Sequence, residues 1–290
     1  MKKIPKIKFK TKRLNTVKGF EIIQFSDLFK SSNLPQDHDP FKHHRLNFFA
    51  ILILTKGTVN HTLDFNHCPL QAGDCLFLFK EQVHAFDPNS AYHGYMVLFT
   101  EAFFEQYLSL PAITEIRKLC NYFIYTNKFH CPKHNDAFVK TLLTESGPGP
   151  AASQAAILGA TLSIYLLRIT EDRARQMQEP IHSRDQVYFN QFRELLRQNF
   201  SSTRDAKDYA NALSISYKHL NTVCKNVVNQ TAKAFIDSFI ILEAKRLLVA
   251  TPLSSKEISY QIGFEEPTNF VKYFKRHTAY TPAEFRRNAT

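Results

Sequence analysis

Residues 254–287 read SSKEISYQIGFEEPTNFVKYFKRHTAYTPAEFRR, and this stretch decides how the C-terminal third of the chain folds. Ser255 is a candidate N-cap for a helix that carries Ile258 on its inner face. Gly263 then stands where a turn needs a left-handed backbone, and Pro267 stands where a second helix can begin without losing a hydrogen bond. The spacing therefore predicts two short helices joined by a tight turn. Periodicity alone fits a helix-turn-helix and an ordinary helical hairpin equally well.

The second of these helices has two contrasting faces. Phe270, Val271 and Phe274 share an apolar face. The opposite face carries amide, hydroxyl and basic groups, on Thr268, Asn269, Lys272, Lys275 and Arg276. A recognition helix presents such a face to the major groove of DNA.

A set of residues at fixed spacing extends across both helices and beyond them: Ile258, Gly263, Phe264, Glu265, Phe270, Tyr273, Phe274, Lys275, Thr281, Pro282, Phe285 and Arg286. This set resembles the signature of AraC/XylS-type transcription regulators. The sequence departs from that signature where Tyr260 replaces a small residue, Ala279 replaces Gly and Phe285 replaces Tyr. The resemblance implies two helix-turn-helix motifs behind an N-terminal cupin-like sensor domain. It also implies promoter DNA and RNA polymerase as partners, with activation of transcription as the commoner outcome.

On that resemblance, residues 208–226 (DYANALSISYKHLNTVCKN) align with the first helix-turn-helix, and Ser216 becomes the N-cap of its recognition helix. Residues 231–250 then form the helix that links the two motifs. Residues 187–199 form an amphipathic helix ahead of them, with Val187 turned inward. Two motifs about one DNA turn (~34 Å) apart read more base pairs than one short helix can.

The outward-facing residues of the two recognition helices divide by chemistry. Asn can bond adenine, Lys can bond guanine, and a Thr methyl group can meet the thymine methyl group. We expect bases to be read by Lys218, Asn221 and Thr222 in the first helix and by Glu266, Thr268, Asn269 and Lys272 in the second. We expect phosphate contacts, which position the protein without specifying sequence, from Lys225, Lys275, Arg276 and Arg286.

The first hundred residues follow a β pattern. Residues 47–54 (NFFAILIL) are a continuous apolar run of strand length, and short strands recur at roughly ten-residue intervals. This pattern predicts a sandwich or jelly roll. Within it, Gly73, Asp74 and His84 resemble the second cupin motif, and the segment that begins at His44 resembles the first.

Two positions that bind metal in cupin enzymes carry Leu46 and Ala50 here. A metal site needs about three or four converging His or Glu ligands, so we expect no metal, no other cofactor and no catalytic residues. A barrel of this size can instead hold one small molecule, and we place an unknown effector beside His44, Phe48 and His84. The competing hypothesis is a metal-dependent cupin enzyme with an appended DNA-binding domain.

The predicted architecture is α+β. It comprises a cupin-like sensor domain over residues 1–170 that ends in helices, a polar linker over 171–183, and a domain with two helix-turn-helix motifs over 184–290. The formal charge of +11 suits a polyanionic partner, and residues 184–290 hold 16 Lys and Arg against 10 Asp and Glu. The apolar helix predicted over residues 153–169 packs on its own barrel or, as the resembled family implies, contacts a second copy in a homodimer.

Cysteine usage and the N-terminus bear on the compartment. Five scattered Cys without a C-x-x-C pair are typical of buried thiols in a reducing cytosol. The basic N-terminus has no apolar run behind it, and no stretch reaches the ~20 apolar residues of a membrane-spanning helix. These features predict a cytoplasmic, nucleoid-associated protein with no membrane partner.

Overall fold

The structure is a computed structural model that describes residues 6–7, 17–30, 39–80, 82–119, 127–147, 150–177 and 184–289. These residues form two compact units. We refer to the described residues up to 177 as the N-terminal unit and to residues 184–289 as the C-terminal unit.

The strands described in the N-terminal unit form two five-stranded sheets. They are β1 (Lys6–Ile7), β2 (Phe20–Gln24), β3 (His44–Leu46), β4 (Phe49–Lys56), β5 (Thr58–Leu63), β6 (Asn66–Gln71), β7 (Asp74–Leu78), β8 (Val83–Ala85), β9 (His93–Phe99) and β10 (Lys128–His130). One sheet has the order β1-β3-β8-β5-β6 and the other the order β10-β7-β4-β9-β2. The pairings are antiparallel except that of β1 with β3. Two facing antiparallel sheets confirm the predicted cupin-like fold.

Strand β4 shows why residues 47–54 are apolar without alternation. Ile51 and Ile53 belong to the core cluster that the helices of this unit share with the second sheet. Leu52 and Leu54 point the other way, into the cluster between the two sheets. Since successive side chains of a strand point to opposite faces, a strand that is covered on both sides must be apolar throughout.

The helices of the N-terminal unit are α1 (Phe25–Leu28), α2 (Glu101–Tyr107), α3 (Leu110–Leu119), α4 (Pro132–Glu145) and α5 (Ala151–Met177). Leu158 and Leu162 of α5 are buried in the core of their own unit, so this face packs on the barrel. Helix α5 continues to Met177, and residues 171–177 of the predicted linker are therefore helical. Residues 178–183 lie outside the described residues.

Helix α5 contradicts the expectation that no stretch of the sequence is long and apolar enough to span a membrane. Its segment Ala152–Asp172 is long and apolar enough, by length and composition, to cross a membrane. Half of its most apolar window is buried inside the N-terminal unit, as in the core helix of a globular domain.

The described secondary structure of the C-terminal unit is entirely α-helical. Its elements are α6 (Arg184–Asn199), α7 (Ala206–Ala212), α8 (Tyr217–Val228), α9 (Ala232–Ala250), α10 (Ser255–Gln261), α11 (Pro267–Thr278) and α12 (Pro282–Ala289). The buried residues of α6 are Phe189, Phe192 and Leu196, and the ring centroid of Phe189 lies 4.8 Å from that of Phe235 on α9. Val187 is half exposed, so its predicted inward orientation is wrong.

Candidate nucleic-acid interface and sensor pocket

Both predicted helix-turn-helix motifs are present, as α7–α8 and as α10–α11. The Ser216 hydroxyl accepts a hydrogen bond from the His219 N–H at 3.1 Å, which confirms Ser216 as the N-cap of α8. For α10 the prediction was one residue off. Ser254, not Ser255, is the N-cap, and it forms a capping box with Glu257.

The turn of the second motif depends on Gly263, which has a φ of +83° as expected for a left-handed position. The Gly263 N–H donates to the Tyr260 carbonyl oxygen and the Phe264 N–H donates to the Ser259 carbonyl oxygen, at 3.0 and 2.8 Å. These two bonds form a Schellman motif, which ends α10 and directs the chain towards α11. Pro267 occupies the first turn of α11, as predicted.

Helix α8 brings its predicted DNA-binding residues together on one concave surface. The depression has a volume of about 410 Å³ and is lined by Tyr217, Lys218, Asn221, Thr222, Lys225 and Thr231. Lys218, Thr222 and Lys225 are exposed there. This arrangement leaves two ammonium groups and a threonine side chain open to a nucleic-acid partner.

Asn221 differs from its neighbours because its amide is engaged within the protein. The Asn221 Oδ1 accepts a hydrogen bond from the Ala232 N–H at 3.0 Å, and its Nδ2 donates to the Tyr217 carbonyl oxygen at 3.3 Å. Ala232 is the first residue of α9 and is buried, so its N–H has lost access to water. Asn221 therefore joins α8 to the start of α9.

Helix α11 exposes the polar face that the sequence predicts. Thr268, Asn269, Lys272, Lys275 and Arg276 are all exposed. Glu266 is the N-cap residue of α11, although its side chain makes no capping hydrogen bond. Glu266 and Asn269 share the rim of a depression of about 500 Å³ that the loop at residues 201–205 also lines.

Two contacts that the sequence does not reveal hold the second helix-turn-helix motif in place. The Tyr273 hydroxyl donates to Asp237 Oδ1 of α9 at 2.8 Å. Burial, followed by this hydrogen bond, raises the pKa of Tyr273 well above its usual value, so the phenol stays protonated. In addition, the Arg204 guanidinium lies 3.8 Å from the centre of the Phe264 ring. Sequence spacing reveals neither pair, because Tyr273 is 36 residues from Asp237 and Phe264 is 60 residues from Arg204.

The Arg286 guanidinium is engaged within the protein. Its Nε donates to the Leu248 carbonyl oxygen at 2.6 Å, and its Nη2 donates to the Leu253 carbonyl oxygen. Both acceptors lie at or just beyond the C-terminal end of α9, where helix carbonyls lack helical partners. Burial lowers the pKa of the guanidinium. Arg286 therefore joins α12 to the end of α9, and its phosphate contact stays a prediction.

The three predicted pocket residues of the N-terminal unit are all buried. Paired strands β3 and β8 place His44 opposite His84, and their ring centroids are 4.0 Å apart. Phe48 belongs to the apolar cluster between the two sheets. A surface depression of about 510 Å³ on this unit is lined by other residues: Thr58, Val59, Asn60, Pro69, Leu70, Gln71, Ser90 and Lys128.

His61, a structural or pocket-lining candidate from the sequence, extends this histidine pair. Its ring centroid is 5.4 Å from that of His84, and its Nδ1 lies 3.4 Å from the Tyr92 hydroxyl. Burial, aided by His44, lowers the pKa of His61 to about 3, so its ring is uncharged at neutral pH. The His61 Nε2 is buried without a hydrogen-bond partner in the described structure. Among the described residues no three His, Cys, Asp or Glu side chains are placed to hold a metal ion together.

Two family profiles match the chain. The profile of the AraC-like ligand binding domain matches residues 31–120, and that of a helix-turn-helix domain matches residues 209–288. The chain belongs to the AraC/XylS-type transcriptional regulators. This AraC/XylS-type chain combines a ligand-binding domain with a DNA-binding domain and is a ligand-responsive, DNA-binding regulator.

Relatives of this regulator match it over different lengths. The HTH-type transcriptional activator RhaS of Enterobacter sp. (strain 638) is 21% identical over 277 residues, which is 91% of this chain and 96% of that protein. The Msm operon regulatory protein of Streptococcus mutans is 25% identical over 140 residues, which is 48% of this chain and 50% of that protein. A crystal structure of ToxT from Vibrio cholerae is 13% identical with a TM-score of 0.47, covering 93% of this chain and 98% of that one.

Proposed function

We propose that this AraC/XylS-type regulator activates transcription by seating α8 and α11 in successive major grooves of one promoter. The observation that carries the proposal is the pair of solvent-facing helices, each with lysines and hydroxyl groups on its exposed face. Helix α9 lies between the two motifs in sequence and contacts α11 through Asp237 and Tyr273. Activation rather than repression is supported by the name of the RhaS relative.

Base reading is assigned to Lys218 and Thr222 on α8 and to Glu266, Thr268, Asn269 and Lys272 on α11. Lys225, Lys275 and Arg276 contact phosphates. Substituting Asn269 gives the clearest test of base reading, because its amide is exposed and can bond both N6 and N7 of adenine. Asn221 is withdrawn from the base-reading set because its amide oxygen accepts from α9.

An Asn269→Ala variant is expected to bind its operator about 10- to 100-fold more weakly, since one bidentate base contact contributes about 1–3 kcal/mol. The operator is first found by selection from random duplexes with the full chain, and affinity is then measured by fluorescence anisotropy at fixed salt. The thermal stability of the variant should equal that of the parent, because the side chain is exposed.

Asn221→Ala is the matched control for this variant. It should lower thermal stability, because it leaves the buried Ala232 N–H without a partner at a cost of about 1–2 kcal/mol. Base preference at individual operator positions should stay unchanged. If the selection enriches no duplex, or if Asn269→Ala leaves both affinity and base preference intact, the proposed reading of DNA fails.

The effector binds between the two sheets, beside His44, Phe48 and His84, without a metal ion. The surroundings support an effector with an apolar or aromatic body, because Phe86 and Tyr92 pack around His61 at ring distances of 5.1 and 6.2 Å. Binding changes the activity of the regulator only if the effector favours one arrangement of the chain over another. This assignment makes the chain a regulator rather than an enzyme, and elemental analysis of the purified protein for bound metal tests it.

The remaining partners in this proposal are RNA polymerase, which an activator must engage, and a second copy of the chain. The site of action is the nucleoid in the cytoplasm. Helix α5 supplies the surface for the second copy, because Ile157 and Ile164 are 42% and 53% exposed and lie seven residues apart on one face.

An Ile157→Glu, Ile164→Glu double variant is expected to halve the mass of the particle in sedimentation equilibrium, since two charges cannot be buried in an apolar interface. Leu158 and Leu162 are unsuitable for this test because both are buried in their own unit. Leu158→Ala serves as the control, and it should cost about 2–5 kcal/mol of stability while the mass of the folded fraction is unchanged. A parent protein that sediments as a monomer at micromolar concentration would exclude the dimer.

A further inference from the structure

A pair of cysteine thiols lies in the core of the N-terminal unit, where the second sheet meets α4. Cys75 is on β7 and Cys131 is the N-cap residue of α4, and their Sγ atoms are 3.7 Å apart. Pairing of β10 with β7 places Phe129 opposite Cys75, so Cys131 lies two residues further along. The Cys131 N–H donates to the Gly73 carbonyl oxygen at 3.0 Å. The backbone therefore holds the two sulfurs in contact.

Two polar side chains complete this thiol cluster within an otherwise apolar core. The Cys131 thiol donates to Asn135 Oδ1 at 3.2 Å, and the Tyr165 hydroxyl donates to the same oxygen at 2.6 Å. The Asn135 Nδ2 donates to the Gly73 carbonyl oxygen at 2.8 Å. Buried polar groups that are linked in this way fix the orientation of each member, so the sulfurs have little freedom to separate.

The two thiols differ in a way that suits two successive steps. The hydrogen bond from Cys75 lowers the pKa of Cys131, and the Tyr165 hydroxyl contributes in the same direction. Cys131 is also the more accessible of the two, since 8% of its surface is exposed and none of that of Cys75. In addition, Cys131 is the N-cap of a 14-residue helix, and a helix N-terminus favours a thiolate. Desolvation raises the pKa of Cys75, which keeps its proton. Cys131 is thus the thiol that reacts first, and Cys75 is the one that follows.

We propose that Cys75 and Cys131 form a reversible disulfide when hydrogen peroxide or an organic hydroperoxide reaches the N-terminal unit. The Cys131 thiolate attacks one peroxide oxygen, the O–O bond breaks, and a sulfenic acid forms with release of water or the alcohol. The Cys75 sulfur then attacks the Cys131 sulfur, the S–S bond forms, and the displaced hydroxide leaves as water with the Cys75 proton. The two thiols together lose two electrons to the peroxide. A cytosolic dithiol restores the reduced pair.

The test is peptide mapping of the full-length protein after a short exposure to hydrogen peroxide, followed by alkylation and trypsin. Cys131 falls in the five-residue tryptic peptide FHCPK, and Cys75 falls in the peptide that covers residues 57–80. Because Cys68 lies in that second peptide, a Cys68→Ser chain makes the assignment unambiguous. We expect these two peptides to appear joined, the intact mass to fall by about 2 Da, and dithiothreitol to reverse both changes. Cys224, whose thiol is buried in the C-terminal unit with a pKa raised to about 12 by burial, should stay reduced.

A Cys75→Ala variant separates the two steps. Without a resolving thiol, Cys131 should accumulate as a sulfenic acid that dimedone traps, and no joined peptide should form. The proposal is overturned if the parent protein yields no joined peptide at peroxide levels that oxidise Cys131 to sulfinic acid. It is equally overturned if, after peroxide treatment and unfolding, both thiols still react fully with the alkylating reagent, because the neighbouring thiols would then have formed no disulfide. If the variant does not fold, the peptide map of the parent protein alone decides the proposal.

Discussion

A Gly263→Ala variant is expected to lose sequence-specific DNA binding and to unfold at a much lower urea concentration than the parent. With a φ of +83°, this residue has a backbone conformation that costs an L side chain about 1–2 kcal/mol. A Cβ atom there would also lie 1.9 Å from the Ser201 carbonyl oxygen, far inside van der Waals contact. Since the obstacle is backbone rather than a mobile side chain, the turn must open. We expect a total loss of about 3–5 kcal/mol.

The effect on DNA binding follows from what surrounds this turn. Phe264, the next residue, packs against Phe270 of α11 and beneath the Arg204 guanidinium. Opening the turn to relieve the clash shifts Phe264, and with it the start of the second recognition helix. A displacement of about 1 Å is enough to disrupt paired hydrogen bonds to a base edge, which need defined geometry. Affinity for the selected operator should therefore fall towards that for random duplex, as read by fluorescence anisotropy.

Gly57→Ala is the matched control, because Gly57 also has a positive φ, +74°, but nothing lies within 4 Å of a Cβ atom there. It isolates the conformational cost, and we expect a loss of about 1–2 kcal/mol with operator affinity unchanged. Equal losses in the two variants would show that contact with Ser201 does not constrain the turn.

The sequence was most informative where local chemistry decides the structure. Gly263, Pro267 and Ser216 were placed correctly because a left-handed turn, a helix start and an N-cap each depend on a few consecutive residues. Strand β4 could be predicted because burial on both faces leaves a continuous apolar run.

The sequence was least informative about which residues on the polar face of a helix are hydrogen-bonded to other parts of the protein. Amphipathicity places Asn221 and Arg286 on the polar faces of their helices, which is correct, but it says nothing about neighbouring elements. Asn221 bonds a residue 11 positions away and Arg286 bonds acceptors 38 and 33 positions away. The contact between His61 and His84 is hidden from the sequence for the same reason, since strand pairing brings the two rings together. Such partners become visible only once the helices and strands are packed.

Arg286→Gln is expected to destabilise the C-terminal unit without changing the salt dependence of DNA binding. The Arg286 guanidinium donates to the carbonyl oxygens of Leu248 and Leu253, and the shorter glutamine amide cannot reach both acceptors. The two carbonyl groups then lose their charged donor, at a cost of about 2–3 kcal/mol. Urea denaturation followed by circular dichroism measures this loss.

Lys275→Gln is the contrasting variant, because Lys275 is exposed in the last turn of α11. Its unfolding free energy should stay within about 0.5 kcal/mol of the parent value. If Lys275 neutralises one phosphate, the slope of log affinity against log salt should become less steep by about 0.9. Arg286→Gln should leave that slope unchanged under conditions where the variant is folded. The opposite result, a stable Arg286→Gln protein with a slope reduced by about 0.9, would return Arg286 to the phosphate-contacting role that its sequence position suggests.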